Sequence, residues 1–286
     1  MSNNKKTVSC IIPTYNRQEL ISQAIESVIS QTYKNLEIIV VNDASQDETE
    51  FVVKKYMKND RRIKYVKNLT NLGGGGSRNV GIKVAKGDFV AFLDDDDKWL
   101  DAKIERQVRS IESLDAVMCA CIKNGKKRLK KNVKKTVDLS DLRKGNNYTG
   151  GTSILMAKVP VMKDIMFDDN LPNYQDWDLL IRLAEKYKIG YLNEALVLYN
   201  DHNQKRITNA PRDMPVDQLE KRLGAIYKHK RFFGSYWFNY HIARSLLSYV
   251  WNRQNKFEHI IYVVKRCGIL PVLRVFNDKI QRRLSN

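Results

Sequence analysis

A run of four aspartates, residues 94–97, follows a short apolar segment at residues 89–93. Carboxylates at contact distance repel one another and raise one another's pKa unless a cation compensates their charge. Mg²⁺ and Mn²⁺ suit such a cluster, because one or two carboxylates hold the ion together with phosphate oxygens of a substrate. The run therefore predicts a divalent-cation site that faces a phosphate-bearing ligand. A solvated acidic turn is the open alternative, since acidic loop tips are common.

Apolar segments that alternate with helical patterns must position this run. Four of them are compact and of strand length: residues 7–12, 36–41, 63–66 and 89–93. Strands of this kind, separated by helices, predict an α/β fold with a mostly parallel sheet covered on both faces. Ligands bind beyond the carboxyl ends of such strands. The polar clusters at residues 13–17, 42–47 and 94–97 follow such ends and are therefore expected around one crevice.

The rest of the chain continues this alternation and then becomes helical. Further helices are predicted at residues 47–58, 77–85, 100–113 and 176–188, and further strands at residues 116–122 and 189–199. Residues 71–76, with four consecutive glycines, are predicted to form a loop. The basic stretch at residues 123–135 is interpreted as a solvated loop. From residue 216 onward the pattern is helical, aromatic and basic.

Chain length and the change of pattern predict one catalytic domain with an extension. We place the catalytic domain at residues 1–210, with a nucleotide-binding half at 1–99 and an acceptor-binding half at 100–210. A basic amphipathic helical region is expected at residues 211–286. The four cysteines lie mostly within apolar stretches, which favours buried free thiols in a reducing compartment.

The charge balance indicates an anionic partner. Lys and Arg number 50 and Asp and Glu number 32, for a formal net charge of +18. Nucleic acid, phosphate-bearing substrates and an anionic membrane face all fit that charge. The chain contains no uninterrupted apolar run of about 18 residues, so we predict no transmembrane helix. The first residues do not form a signal-type apolar core, and a cytoplasmic protein is expected.

Five motifs, in order along the chain, carry a family resemblance. They are VSCIIPTYNR (8–17), VVNDASQD (40–47), SRNVGI (77–82), GDFVAFLDDDDKW (87–99) and QDWDL (175–179). Each motif alone is weak, whereas all five in this order and spacing are specific. Together they resemble the inverting nucleotide-sugar glycosyltransferases of family 2, which have the GT-A fold and include many enzymes of bacterial polysaccharide synthesis. The resemblance implies transfer of a sugar from a nucleotide diphosphate donor to an acceptor hydroxyl, with Mn²⁺ or Mg²⁺ as cofactor.

The resemblance also implies which residues bind the nucleotide. A loop lines the base, and it comprises Pro13, Thr14, Tyr15 and Arg17, with the aromatic ring available for stacking. Asp43 accepts a hydrogen bond from the base. That role suits uracil, whose N3 carries a hydrogen, and not cytosine, whose N3 is an acceptor, while thymine and guanine remain open. A UDP-sugar is therefore the expected donor.

The phosphates and the metal are assigned by the same resemblance. Arg78 faces the nucleotide and its phosphates, a charge-assisted role that suits a guanidinium. Asp94 and Asp96 match the ends of the family's Asp-x-Asp motif, with Asp96 as the first choice for the metal and Asp94 nearer the ribose and metal. Asp95, where the family often has Ser, is assigned to the donor site. His202 matches a histidine near the diphosphate or metal, with a purely structural role as the alternative.

The family's catalytic base is an aspartate, and Asp176 falls at that position, although Gln175 replaces the glutamate that often precedes it. Asp178 is the rival. At about 100° per residue, Asp176 shares the apolar face of its helix, whereas Asp178 is predicted to point outward toward Arg182. An N-cap role is the alternative for Asp176.

On the acceptor side, the resemblance assigns the small-residue segment Gly151, Thr152 and Ser153, where a sugar could approach the backbone closely. A glycan or lipid-linked acceptor is the expected partner.

The C-terminal region leaves two interpretations open. Ile269, Leu273, Phe276 and Ile280 recur on one helical face. That pattern is typical of a helix in a membrane interface, and it is equally typical of a helix that covers a protein core. A peripheral contact with an anionic membrane, on the inner face of the cell membrane, is therefore one expectation.

Two other function classes remain as alternatives. A nucleotidyltransferase would also use acidic metal ligands, but a Gly-rich phosphate loop should follow its first strand. A nucleic-acid-binding protein would fit the net charge and the basic stretch at residues 123–135. It would need no carboxylate cluster aimed at a cleft.

Overall fold

The computed structural model describes residues 5–130, 135–145, 148, 150–199, 214–248, 250–253 and 255–284. The chain forms two compact units. The first comprises Met1–Leu139, Asn147–Asn170 and Leu179–His202, and the second comprises Ser140–Asn146, Leu171–Asp178 and Asn203–Asn286.

The described residues include nine strands and twelve α-helices. The strands are β1 (Val8–Thr14), β2 (Leu36–Asn42), β3 (Ile63–Lys67), β4 (Phe89–Phe92), β5 (Lys98–Trp99), β6 (Ala116–Lys123), β7 (Lys126–Lys127), β8 (Leu155–Lys158) and β9 (Ile189–Tyr199). The helices are α1 (Ile21–Ile29), α2 (Thr49–Asn59), α3 (Gly73–Val84), α4 (Lys103–Ser110), α5 (Leu139–Lys144), α6 (Val159–Ile165), α7 (Gln175–Lys186), α8 (Val216–Lys221), α9 (Gly224–Lys228), α10 (Lys230–Leu246), α11 (Lys256–Cys267) and α12 (Ile269–Leu284). The 3₁₀ helix Gly151–Ile154 precedes β8.

The first unit contains one sheet in the strand order β3-β2-β1-β4-β8-β6-β9-β5, with β7 paired to β6. Strands β1 to β4 pair in parallel, as do β6 and β9, whereas β8 is antiparallel to both β4 and β6. Thr14 lies opposite Asn42, and Ile11 lies opposite Phe92. The carboxyl ends of β1, β2 and β4 therefore meet at one edge, as the alternating pattern predicts.

Most predicted elements are present within a few residues of their expected bounds, and β9 has the predicted bounds. The predicted loop at residues 71–76 is wrong in its second part, because α3 begins at Gly73. The carboxylate of Asp43 accepts hydrogen bonds from the N–H groups of Leu72 and Gly73, the second of which also donates to Asn71, so donors at the start of the helix are satisfied. The basic stretch contains a short hairpin of β6 and β7.

Close packing holds α3 against the sheet. A Cβ atom at Gly81 would lie 2.5 Å from Cγ2 of Ile11, so only glycine allows the helix to approach β1 this closely. All four cysteines are buried free thiols, as the sequence predicts.

Aromatic and histidine side chains form the core of the second unit. The Trp177 ring lies 5.0 Å from the Phe233 ring and 4.7 Å from the His241 ring, and its Nε1 donates to the carbonyl oxygen of Leu142. His241 in turn hydrogen bonds to the carbonyl oxygen of Arg143. Among the helices within the described residues, none is both long and apolar enough to cross a bilayer.

Candidate active site

The loops after β1 and β2 are joined to each other by hydrogen bonds. The N–H of Asp43 donates to the carbonyl oxygen of Thr14 at 2.8 Å. The N–H of Asn16 donates to the Ser45 hydroxyl, and the N–H of Gln46 donates to the Asn16 side chain. These bonds fix the backbone of the two loops at the carboxyl edge of the sheet. They bring together two of the three polar clusters that the sequence predicts.

Within the first loop, side chains differ in accessibility. Pro13 and Thr14 are buried, whereas Tyr15 is 45% exposed, so its ring is available to a flat ligand. Nε of Arg17 lies 3.9 Å from Oδ1 of Asp95. This contact ties the loop after β1 to the acidic run.

Asp43 is 3% exposed and connects β2 to α3. Its Oδ1 accepts from Asn68 Nδ2 and from the N–H of Leu72, and its Oδ2 accepts from the N–H of Gly73, each at 2.8 Å. A carboxylate near a helix N-terminus is stabilised by the backbone N–H groups and by the helix dipole. Asp43 therefore fixes the start of α3 from the loop after β2.

The same helix carries Arg78 to the acidic run. Nη2 of Arg78 forms a short ion pair with Oδ1 of Asp94, and its guanidinium carbon lies 5.4 Å from the centre of the Phe167 ring. Nε of Arg78 is buried without a hydrogen-bond acceptor among the described residues. A buried guanidinium N–H without an acceptor is costly, and an anionic ligand would satisfy it. Arg78 thus lies close to Asp94 and has a buried donor available to an anionic ligand.

The 3₁₀ helix Gly151–Ile154 holds the acidic run in place. The Thr152 hydroxyl donates to Oδ1 of Asp94 at 2.9 Å. The Ser153 hydroxyl accepts from the N–H of Asp94 at 3.0 Å and donates to Oδ2 of Asp97 at 2.6 Å. Trp99 packs in the interior, and its Nε1 donates to the carbonyl oxygen of Ser153. Thr152 and Ser153 were assigned to the acceptor side, and their hydroxyl groups are engaged with these aspartates.

Three carboxylates of the run form a compact cluster. Oxygen atoms of Asp94, Asp96 and Asp97 lie within 4.8 Å of one another. Oxygen donors at this spacing fit Mg²⁺ or Mn²⁺, which bind carboxylate oxygens in preference to softer ligands. Asp96 and Asp94 are half-buried, and Asp97 is 1% exposed. The sequence assignment missed Asp97, although the four consecutive aspartates contained that signal.

Asp95 lies outside this cluster, with its Oδ1 3.9 Å from Nε of Arg17. Burial raises the pKa of Asp95 to about 7, repulsion from Asp96 and Asp94 adds to the rise, and the Arg17 guanidinium opposes it. Asp95 is thus not one of the three clustered carboxylates, although it belongs to the same run.

Asp176 and Asp178 both belong to the second unit, at the start of α7. Asp176 is half-buried, whereas Asp178 is fully buried. The prediction that Asp178 points outward toward Arg182 is wrong. Oδ1 of Asp178 lies 2.8 Å from Nζ of Lys228 and 2.8 Å from Nε2 of His229, and Arg182 instead donates to the carbonyl oxygen of Ile165. Helical periodicity alone predicts an exposed Asp178, whereas contacts with residues about fifty positions later in the chain hold it in the interior.

His202 lies outside the described residues. Gly151 has a φ of +57°, and a Cβ atom there would lie 3.7 Å from Oδ2 of Asp94. Its backbone therefore lies beside the carboxylate cluster. Asn68, which holds Asp43, carried no signal in the sequence that would have identified it.

Comparison with known proteins adds sequence relatives. The family model for glycosyl transferase family 2 matches residues 9–163. An uncharacterized glycosyltransferase of Methanocaldococcus jannaschii is 32% identical over 248 residues, which span 80% of this chain and 82% of that protein. The Escherichia coli protein WfaP, a UDP-Glc:alpha-D-GlcNAc-diphosphoundecaprenol beta-1,3-glucosyltransferase, is 44% identical over 106 residues, which span 37% of this chain and 41% of that protein.

Solved structures of similar fold are also known. Staphylococcus aureus TarS 1-349 in complex with UDP-GlcNAc has a TM-score of 0.65 at 20% identity, covering 96% of this chain and 92% of that one. The mannosyltransferase PcManGT of Pyrobaculum calidifontis, in complex with GDP-Man and Mn²⁺, has a TM-score of 0.61 at 19% identity, covering 97% and 80%. At these identities the likeness concerns the fold.

Proposed function

This chain belongs to glycosyltransferase family 2, and we propose that it transfers a sugar from a UDP-sugar to an acceptor hydroxyl with inversion at the anomeric carbon. Its fold is GT-A, with a C-terminal helical region. One observation carries the proposal. The carboxylates of Asp94, Asp96 and Asp97 lie within 4.8 Å of one another, and Arg78 pairs with Asp94 at the carboxyl edge of the parallel strands.

The preference for uracil rests on Asp43. A carboxylate offers about four lone-pair sites, and three N–H groups already occupy sites on Asp43. The remaining capacity, on Oδ2, suits one further donor such as N3–H of uracil. Cytosine presents an acceptor at N3 and would be repelled. The exposed ring of Tyr15 provides a surface on which the base can stack.

Arg78 and the acidic cluster would share the diphosphate. The Arg78 guanidinium has an Nε–H without an acceptor in the described part of the chain, and it can donate to phosphate oxygens once the nucleotide-sugar donor occupies the site. Asp96, with Asp94 and Asp97, would hold Mg²⁺ or Mn²⁺, which neutralises negative charge on the departing diphosphate. Arg78 would contact phosphate oxygens directly, whereas the clustered carboxylates would act on the diphosphate through the metal ion.

Asp176 would act as the catalytic base. Its carboxylate accepts the proton of the acceptor hydroxyl while the hydroxyl oxygen forms a bond to the anomeric carbon. The bond from that carbon to the diphosphate oxygen breaks on the opposite side, and its electron pair leaves with UDP. A single displacement of this kind inverts the anomeric centre. Asp178 is a weaker candidate, because Lys228 and His229 already bind its carboxylate in the interior.

In this proposal, the acceptor is a lipid-linked sugar or a polysaccharide, and the reaction belongs to the synthesis of cell-surface glycans. The name of the Escherichia coli relative describes a glucosyltransferase that acts on a diphosphoundecaprenol-linked sugar. A lipid-linked acceptor would require this enzyme to work at the inner face of the cell membrane, in peripheral contact with it. The nucleic-acid alternative is disfavoured, because the clustered carboxylates at the sheet edge would repel a polyanion.

Thermal unfolding with nucleotides tests the donor assignment. We expect UDP with Mn²⁺ or Mg²⁺ to stabilise the protein by about 3 kcal/mol at a hundred times its Kd. UDP without metal, and CDP with metal, should stabilise it much less. Equal stabilisation by CDP would contradict the uracil preference.

A pair of variants separates metal binding from general effects of charge. Asp96→Asn should remove the metal-dependent part of the UDP effect. Asp101→Asn is the matched control, since it removes an exposed carboxylate outside the cluster. If both variants respond to UDP and metal as the wild type does, Asp96 is not a ligand. A scan of UDP-sugars for transfer or hydrolysis then identifies the sugar.

A further inference from the structure

Helix α12 has apolar side chains on two sides, and only one of these two sides is buried. Val272 and Val275 are each 2% exposed and face the interior of the second unit. Ile269, Leu273 and Ile280 are 53%, 55% and 58% exposed. At 100° per residue these three side chains fall within an arc of about 40°. They form an exposed apolar stripe, which we call the α12 stripe.

The α12 stripe is part of a larger apolar surface. Phe276 is half-buried beside it, and the Trp251 ring lies 6.1 Å from the Phe276 ring while the Trp251 residue is 54% exposed. Leu270, next to Ile269, is 68% exposed. Contiguous exposed apolar groups of this kind mark interaction surfaces in soluble proteins. A tryptophan at the edge of such a surface is typical of the bilayer interface.

The chain segment that forms this surface is rich in basic residues. Between residues 250 and 284 the chain has eight Lys and Arg but only two acidic residues, Glu258 and Asp278. The Asp278 carboxylate is already engaged, because Tyr240 donates to it and Arg274 pairs with it. The excess positive charge therefore favours an anionic partner.

We propose that the α12 stripe, with Trp251, inserts into the headgroup region of an anionic lipid bilayer. An interfacial helix buries its apolar side about 5–10 Å deep while its polar side stays in water. Asn277 and Gln281, both exposed, lie beside the stripe on α12 and outside its arc. A second copy of the chain is a poorer partner, because its identical surface carries the same excess of positive charge. An anionic lipid surface satisfies both the apolar and the electrostatic requirements.

Sedimentation of the full chain with vesicles tests this inference, and it needs neither donor nor acceptor. We expect the protein to sediment with vesicles that contain phosphatidylglycerol, less with pure phosphatidylcholine, and less at high salt. The double variant Leu273→Glu, Ile280→Glu should lower the partition coefficient by about tenfold or more, because two exposed apolar side chains can no longer insert.

The matched control is the double variant Asn277→Glu, Gln281→Glu. It adds the same two charges to exposed polar positions of the same helix outside the stripe, so it should retain most of the binding. Equal binding by the two double variants would overturn the role of the stripe. Failure of the wild type to bind anionic vesicles would overturn the proposal as a whole. A wild-type dimer in solution that Leu273→Glu, Ile280→Glu converts to a monomer would assign the stripe to a second copy instead.

Quenching by brominated lipid locates the insertion. Trp99 and Trp177 are 3% and 4% exposed and Trp237 is half-buried, so Trp251, which is 54% exposed, should be the tryptophan quenched most on binding. Trp251→Phe should remove most of that quenching and leave sedimentation nearly unchanged. Quenching that persists in this variant would show that another surface contacts the bilayer. Because these readouts do not involve UDP or transfer, their failure would count against the peripheral membrane contact and leave the proposed sugar transfer from UDP untouched.

Discussion

Aspartates in this chain have different tasks because their partners differ. Asp43 accepts backbone and amide N–H groups, and it fixes a helix start. Asp178 is fully buried, pairs with Lys228 and hydrogen bonds to His229. Asp94 takes part in the acidic cluster and contacts Arg78 and Thr152. Only the last environment combines accessible carboxylate oxygens with further carboxylates, as a cation site requires.

Asp176 and Asp178 provide the sharpest test at the residue scale. Asp176→Asn should abolish transfer and leave UDP binding nearly intact, because a general base acts on the acceptor and not on the nucleotide. Asp178→Asn should lower the free energy of unfolding by about 3 kcal/mol, since it removes one partner of a buried ion pair. Transfer rates, UDP binding and thermal unfolding of both variants measure these outcomes.

Each of the two variants serves as the control for the other. They make the same chemical change, two positions apart on α7. Loss of transfer in Asp178→Asn at a temperature where it remains folded, with Asp176→Asn still active, would reject Asp176 as the base. A large loss of stability in Asp176→Asn would favour a structural role in the first turn of α7, where Asp176 lies one residue inside the helix and not at the predicted N-cap.

At the scale of elements, the 3₁₀ helix Gly151–Ile154 supports the acidic run. Ser153 links two parts of that run through one hydroxyl group, since it contacts both the Asp94 N–H and the Asp97 carboxylate. Both contacts are to residues more than fifty positions earlier in the chain. The geometry of the carboxylates therefore depends on the packing of this short helix as well as on their own loop.

Ser153→Ala should weaken Mn²⁺ binding in the presence of UDP by about tenfold, because residues that orient metal ligands affect affinity on that scale. It should also destabilise the fold by about 2 kcal/mol, since the buried Asp97 carboxylate loses a donor. Calorimetric titration with Mn²⁺ and urea unfolding measure the two effects.

Ser110→Ala is the control for the serine variant. The Ser110 hydroxyl donates within its own helix, to the carbonyl oxygen of Arg106. It should leave Mn²⁺ affinity unchanged. A destabilised Ser153→Ala protein with wild-type Mn²⁺ affinity would show that Ser153 supports the fold and not the metal site.

At the scale of the whole molecule, the described histidines are distributed unevenly. His229, His241 and His259 all lie buried in the second unit. Burial lowers the pKa of His241 to about 4, and Arg244 adds to the decrease. Burial also lowers the pKa of His259. Both side chains are held neutral in the folded protein.

The second unit should therefore lose stability in acid. An unfolded histidine titrates near its ordinary pKa of about 6.5, so the unfolded state binds more protons between that pH and the folded pKa of about 4. The stabilisation is complete above pH 6.5 and decreases as the pH falls toward 4. When the pH falls from about 7.5 to about 5, the titration of His241 alone should lower the free energy of unfolding by about 2 kcal/mol.

Urea unfolding of wild type and His241→Gln at these two pH values tests this. Glutamine keeps an N–H for the carbonyl oxygen of Arg143 but does not titrate, so the variant should lose about 2 kcal/mol less on acidification. Trp177 fluorescence reports on this core, because the Trp177 ring lies 4.7 Å from the His241 ring. Parallel losses in the two proteins would show that other groups control the acid response.

The sequence by itself determined the parallel strands β1, β2 and β4 and which polar residues meet at their carboxyl edge. Buried parallel strands are continuous apolar runs, so β1, β2 and β4 are recognisable from local composition. Polar residues directly after them must lie at one edge, because parallel strands end on the same side. The motifs at residues 8–17, 40–47 and 87–99 identified the family through short, local patterns, and the family model confirms it.

Only the tertiary structure decided features that depend on distant partners. Four glycines indicate a loop, but α3 begins among them because Asp43, thirty positions earlier, satisfies its first N–H groups. Asp178 is buried because Lys228, fifty positions later, pairs with its carboxylate and His229 hydrogen bonds to it. The periodicity of α12 shows that it has apolar sides, whereas packing of Val272 and Val275 decided which side is left exposed. Local patterns determine what a segment can form, and the free energy of long-range contacts selects among those possibilities.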